Sequence, residues 1–181
     1  MNPPKHGAVG SAMTWTRSLE ETVTVDAPSD TVFAWLDEPR NTGLHMSRPS
    51  MAMLGGTLRF EQVSAHGTGV GATYRSWGRV LGLPIDFTTA VTAWVPGRQK
   101  VWRTVGKPRL IVLADFQMRF SLTGREGRTD LMLAIDYNML AGGVGRLLGR
   151  LLAAPYVRWC LRRMASDARS AFKSERARAR A

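Results

Sequence analysis

The stretch from Gly142 to about Glu175, GGVGRLLGRLLAAPYVRWCLRRMASDARSAFKSE, constrains the fold of this chain more than any other. Leu148, Leu152, Tyr156, Cys160, Met164 and Ala168 recur every fourth residue and Phe172 closes the row, while Arg146, Arg150, Arg158, Arg162 and Arg169 fall largely on other faces. This is the pattern of an amphipathic helix. It needs an apolar partner along its whole length, and the chain from Thr88 to Met139 reads as antiparallel strand. The sequence therefore predicts a sheet wrapped around a long terminal helix.

At 181 residues the chain suits a single domain with a real core. The expected division is a leader over 1–17, one domain over 18–175 and a basic tail over 176–181. The longest apolar stretch, around Leu147 to Trp159, is interrupted by Arg150, Pro155 and Arg158. It falls short of the roughly 18 consecutive apolar residues of a membrane span. The leader, MNPPKHGAVGSAMTWTR, lacks the apolar centre of a secretory signal, and the single cysteine, Cys160, has no partner in the chain. Both features fit a cytoplasmic protein, with association at the membrane periphery as a variant.

The net charge of +11 is unevenly spread. From Gly142 onward ten basic residues stand against two acidic ones, a net +8, and the first 141 residues hold fifteen against twelve, a net +3. A solvated helix face accounts for such a distribution, and so does attraction to an anionic membrane surface. Nucleic acid is not an expected partner, because no zinc-finger or glycine-aromatic RNA-binding motif occurs. The oligomeric state is left open.

Leu19–Asp26, LEETVTVD, alternates as a first strand at an edge or seam. Pro28, Ser29 and Asp30 then suit a helix start, Val32, Phe33 and Leu36 give that helix one apolar face, and Pro39 ends it. From Arg40 to Met53 a short second helix or loop is expected, in which Met46, Met51 and Met53 serve either as a gate over a cavity or as filler in an irregular corner. After Gly55-Gly56, regularly spaced turn signals separate six strand-length stretches, making seven strands in all.

In the last hairpin, setting Thr123 opposite Arg128 pairs Phe120 with Leu131, Met118 with Leu133, Phe116 with Ile135 and Ala114 with Tyr137. One face is then apolar, and Asp115, Gln117, Arg119, Asp136 and Asn138 face water as surface charges and polar groups. A turn at Leu81–Pro84 places Phe87, Thr89, Val91, Ala93 and Val95 on one face with Tyr74, Ser76 and Gly78. On the following strand, Val101 and Arg103 face inward in one register and Trp102 and Thr104 in the other. The sequence does not choose between the two.

These elements resemble the START-related helix-grip superfamily, which includes polyketide cyclases, lipid-transfer domains and the birch-pollen allergens. VTVDAPSDTVFAWLDEP is similar to that superfamily's opening strand and helix, GTGVGATYR to its glycine-containing second hairpin, and RLLGRLLAAPYVRWCLRRM to its closing helix. The resemblance implies an α+β helix-grip fold: a seven-stranded curved antiparallel sheet around a long C-terminal helix, with one or two short helices after the first strand. It also implies an apolar cavity that admits a lipid, polyketide, steroid or isoprenoid. The expected lining is Tyr74, Phe87, Thr89, Val91, Phe116, Met118, Phe120, Ile135, Tyr137, Leu152 and Tyr156, a mostly apolar set with sparse polar groups. A filled core could use much of the same set.

Signals for chemistry are thin. His6, His45 and His66 share no metal-ligand spacing, and no nucleophile elbow occurs, so neither metal nor cofactor is expected. Gly67 to Ala72 satisfies G-x-G-x-x-A, but a strand follows instead of a helix, so it reads as a hairpin turn. Whether any reaction is catalysed stays open, with three candidates. An inward Arg103 could stabilise an enolate oxygen, Tyr74 could pass a proton, and Glu61 could act as a base if its hairpin turns it inward. The leading expectation is a carrier of one hydrophobic molecule. Its alternatives are an aromatase or cyclase acting in the same cavity, and a lipid carrier that docks on membranes through its basic C-terminal helix.

Overall fold

The computed structural model describes residues 14–47, 57–64, 67–80 and 82–178. β1 (Arg17–Val25) leads into α1 (Ser29–Asp37), α2 (Pro39–Thr42) and α3 (Leu44–Ser47). The meander follows as β2 (Thr57–Gln62), β3 (Thr73–Val80), β4 (Leu83–Val95), β5 (Gln99–Arg109), β6 (Asp115–Arg125) and β7 (Arg128–Asn138), and α4 (Gly143–Arg178) closes the chain. The seven strands form one antiparallel sheet in the order β1-β7-β6-β5-β4-β3-β2, so β1 is an edge strand that returns to pair with the last hairpin. Met51 and Met53 lie outside the described residues, as do residues 1–13 of the leader. α4 continues past Glu175 through Arg178, into the stretch read as a tail.

α1 forms where the sequence predicts it. Pro28 holds the extended N-cap position and accepts the Val32 N–H at 3.0 Å, and Val32, Phe33 and Leu36 are buried. Pro39, expected to end the helical region, opens α2 instead, because a proline lacks only an N–H that the first turn leaves unpaired anyway.

The last hairpin departs from the expected register by two residues. Phe120 pairs with Leu133, Met118 with Ile135, Phe116 with Tyr137, and Arg125 with Arg128. The turn is the two-residue Glu126-Gly127, whose φ angles of 38° and 77° match the twist of the flanking strands better than a longer loop. A shift of two leaves every side chain on its expected face. Asp136 is nevertheless no surface charge. It is 6% exposed, because Ser18 of the neighbouring edge strand covers it and donates at 2.6 Å, while Gln117 and Arg119 approach at 3.3 and 3.4 Å.

On β4, Phe87, Thr89 and Val91 do share the inner face with Tyr74 and Ser76. Ala93 and Val95 do not continue it. A register break between Val91 and Ala93 moves the strand on by one residue, so Trp94 packs into the core and Val95 is exposed. On β5, Trp102 and Thr104 face inward. The Thr104 hydroxyl receives the Phe116 N–H at 3.2 Å, and Trp102 meets Phe120 edge-on at 6.1 Å.

Steps of four residues advance about 40° per step on an α-helix, so the four-residue row on α4 drifts around it: Leu152 is half-exposed, whereas Cys160, Met164, Ala168 and Phe172 are buried as the row predicts. The buried set adds a neighbouring row to it, with Ala153, Val157, Leu161 and Ala165 beside Cys160, Met164, Ala168 and Phe172. These pack with α1 and the inner face of β1, β6 and β7 into a solid core, in which Phe33 contacts both Trp94 and Phe120 edge-on and Trp35 does the same to Phe172. Along the first turns of α4, Leu147, Leu151 and Leu152 are exposed by 59%, 63% and 47%. No helix among the described residues is long and apolar enough to cross a membrane.

Candidate ligand cavity

The half of the sheet that this core does not fill encloses a cavity of about 350 Å³. Its floor is the inner face of β2 to β6, with Leu58, Phe60, Tyr74, Ser76, Ile85, Phe87, Thr89, Phe116 and Met118. Leu36, Pro39, Thr42, Gly43 and Met46 from α1 to α3 close one side, and Leu110 to Leu113, between β5 and β6, another. α4 forms the roof with Leu152, Pro155, Tyr156, Val157, Cys160 and Met164. Phe87 and Phe116 meet edge-on at 5.6 Å in this wall. The spacing that brings them together comes from strand alternation: Ser76 pairs with Phe87 and Tyr74 with Thr89, so four successive inward positions line one patch.

Eight of the eleven expected lining residues lie on this wall: Tyr74, Phe87, Thr89, Phe116, Met118, Ile135, Leu152 and Tyr156. Val91 packs with Ala72 and Tyr74 in a separate small cluster, and Phe120 and Tyr137 are committed to the solid core. They share the correct face but lie beyond the end of the cavity. Met46 lines the wall, as a residue placed over a cavity would.

The three candidates for chemistry are not brought together. Arg103 stands on the face of β5 opposite Trp102 and Thr104, since adjacent strand residues point to opposite sides, and it does not line the cavity. Glu61 is exposed and pairs across the strands with Arg75, while its neighbours Leu58 and Phe60 turn inward. It borders a separate polar groove of about 590 Å³ between α1–α2 and the β2–β3 connection. Tyr74 does line the cavity, but its hydroxyl donates to the Gly67 carbonyl at 3.0 Å. Burial, with Asp37 and Glu38 nearby, raises its pKa, so the phenol stays protonated. Gly67 to Ala72 connects two strands, as a hairpin does, and no metal-holding group of three His, Cys, Asp or Glu occurs among the described residues.

One charged residue of the cavity wall escaped sequence reasoning. Lys100 is 4% exposed and lines the cavity. Its ammonium donates to the Asp37 carboxylate at 2.6 Å and to the Asp37 carbonyl at 2.9 Å, and lies 5.5 Å from the Tyr74 ring centroid and 5.8 Å from that of Trp102. Asp37 also accepts the Trp94 indole N–H at 3.2 Å. A lysine just after a Pro-Gly turn ordinarily reads as exposed. The available signal was parity, because choosing Trp102 as the inward residue turns Lys100 inward as well. On α4, burial pushes the Cys160 thiol up to about 12 and the Tyr156 phenol well above its ordinary value, so both groups, which hydrogen-bond to each other, are neutral on the cavity wall.

A seven-stranded antiparallel sheet gripping a C-terminal helix is the START-related helix-grip fold, and this chain has it. No protein-family model and no curated protein matches the chain. Among solved structures it is similar to the ZhuI aromatase/cyclase from Streptomyces sp. R1128, at 19% identity and a TM-score of 0.61 over 84% of this chain and 93% of that one. It is also similar to the di-domain aromatase/cyclase StfQ from the steffimycin biosynthetic pathway, at 13% identity and a TM-score of 0.65 over 88% of this chain and 52% of that one. A START superfamily protein from Mycobacterium smegmatis matches at 15% identity and a TM-score of 0.57 over 87% of this chain and 97% of that one.

Proposed function

We propose that the protein binds one small hydrophobic molecule, of the lipid, polyketide or isoprenoid class, between the sheet and α4. The observation that carries this reading is the cavity of about 350 Å³, whose wall is almost wholly apolar and includes a single charged side chain. Concave apolar surface with a few convergent polar groups is the usual form of a small-molecule site. Native mass spectrometry of the protein purified from its own host tests it. The expected result is an apolar adduct that is lost on extraction with organic solvent. A spectrum of bare protein, together with no uptake of a hydrophobic fluorescent probe, sinks the reading.

A second reading, an aromatase or cyclase working in the same cavity, is favoured by the aromatase/cyclases among the structural neighbours. It keeps Tyr74 at the wall but loses Arg103, so its original pairing of oxyanion stabiliser and proton donor does not stand. Docking on anionic membranes draws support from the exposed Leu147 and Leu151 beside the exposed Arg150 near the cavity roof. Co-sedimentation with anionic liposomes should weaken with salt and on removal of Lys173 through Ala181. Indifference to both rules docking out.

A further inference from the structure

We propose that Lys100 is the polar anchor of the cavity, and that it selects ligands bearing a neutral oxygen acceptor, such as a ketone, quinone or ester carbonyl, over free carboxylic acids. The inference rests on the hydrophobic-ligand reading above and narrows the ligand class. Among the described residues of the wall, Lys100 carries the one formal charge. An ammonium has three N–H donors. Asp37 takes two of them, through its side chain and its backbone carbonyl, and no protein oxygen among the described residues takes the third. The rings that the ammonium faces, Tyr74 and Trp102, are themselves cavity wall, so an oxygen held there lies against flat aromatic surface.

The pairing with Asp37 sets the sign of the selection. The ion pair is already neutral and is buried on both sides, at 5% and 13% side-chain exposure. A ligand carboxylate would bring a second anion to one cation in a site of low dielectric, where an uncompensated charge is strongly disfavoured. A carbonyl oxygen takes the remaining N–H without that penalty. Hydrogen bonds from a charged donor are the stronger kind, and the preference over a hydrocarbon of equal shape should be about tenfold.

Three probes matched in size and rigidity test this at neutral pH: acetonaphthone, ethylnaphthalene and naphthoate. The wild-type protein should bind acetonaphthone about tenfold more tightly than ethylnaphthalene, and more tightly than naphthoate. The carbonyl carbon resonance of labelled acetonaphthone should move downfield on binding. In the double variant Lys100→Met/Asp37→Asn, which leaves no charge unpaired, the ratio of ketone to ethylnaphthalene affinity should fall to about one and the shift should disappear, whatever the absolute affinity for the hydrocarbon. Equal binding of ketone and hydrocarbon to the wild type, tighter binding of naphthoate, or a preference that survives in the double variant overturns the proposal. If ethylnaphthalene binds without any ketone preference, only this inference fails. If none of the three binds the wild type, the cavity reading fails with it.

Discussion

Lys100, on the wall of a cavity that is otherwise uncharged, meets Asp37, 63 positions away in the chain, at 2.6 Å. The contact joins the last residue of α1 to the second residue of β5, and so ties the helical layer to the sheet where the solid core gives way to empty space. Removing one partner strands the other as a buried charge, which ordinarily costs about 3–5 kcal/mol. Lys100→Met alone should therefore destabilise by that order, and Lys100→Met/Asp37→Asn by distinctly less. Urea midpoints at unchanged slope measure both. Equal losses in the two variants would show that the pair is not coupled.

Thr89 lies at the middle of the cavity floor, opposite Tyr74. Thr89→Phe should project a ring into the empty volume, lowering the affinity of a hydrophobic probe at least tenfold while costing no more than about 1–3 kcal/mol of stability. Fluorescence titration and thermal melts read the two effects separately. Undiminished binding would place the ligand elsewhere.

Cys160 gives a pH signature. Its thiol is held up to about 12 in the fold by burial and titrates near the ordinary value of 9 when unfolded. The neutral thiol suits the folded site and the thiolate does not, so its contribution is intact below about pH 9 and declines as pH rises from there toward 12. Denaturant midpoints should fall over this window, and the fall just above pH 9 should be shallower in Cys160→Ala. In the native protein at pH 8 the thiol should react with iodoacetamide far more slowly than after unfolding. An identical pH profile in the variant would remove the thiol as the cause.

The turn between β6 and β7 is a local test of register. Gly127 has φ of 77° and Glu126 has φ of 38°. Gly127→Ala should destabilise by about 1 kcal/mol and Glu126→Asn should stabilise by a few tenths, because asparagine tolerates positive φ. Chemical denaturation with both single variants checks the pair. No loss at Gly127 would place the turn elsewhere, as the longer loop suggested by sequence had it.

Most of the fold was legible because it is written in short-range patterns. The turn signals, the alternation of Phe116, Met118 and Phe120 against Leu131, Leu133 and Ile135, and the Pro28 helix start each depend on neighbours within a few residues. Even the misjudged hairpin kept its faces, since an error of two residues preserves parity. The candidate site was legible only as a face. Phe120 and Tyr137 share it with Phe116 and Ile135, yet the first two are packed solid and the others border a void. Nothing local separates them.

The sequence by itself determined the elements, their order, and which side of each regular strand is apolar, because backbone sterics and side-chain alternation act over a few bonds. Only the tertiary structure decided that β4 breaks register after Val91, that β5 turns Lys100 inward and Arg103 outward, and that Asp136 is covered by Ser18. It alone decided where the core ends and the cavity begins. Those outcomes depend on how α1 and α4 fill the volume over a sheet whose strands are distant in the chain, and on where charges far apart in sequence can neutralise one another. Packing and electrostatics in three dimensions set them, where the local pattern left more than one arrangement open.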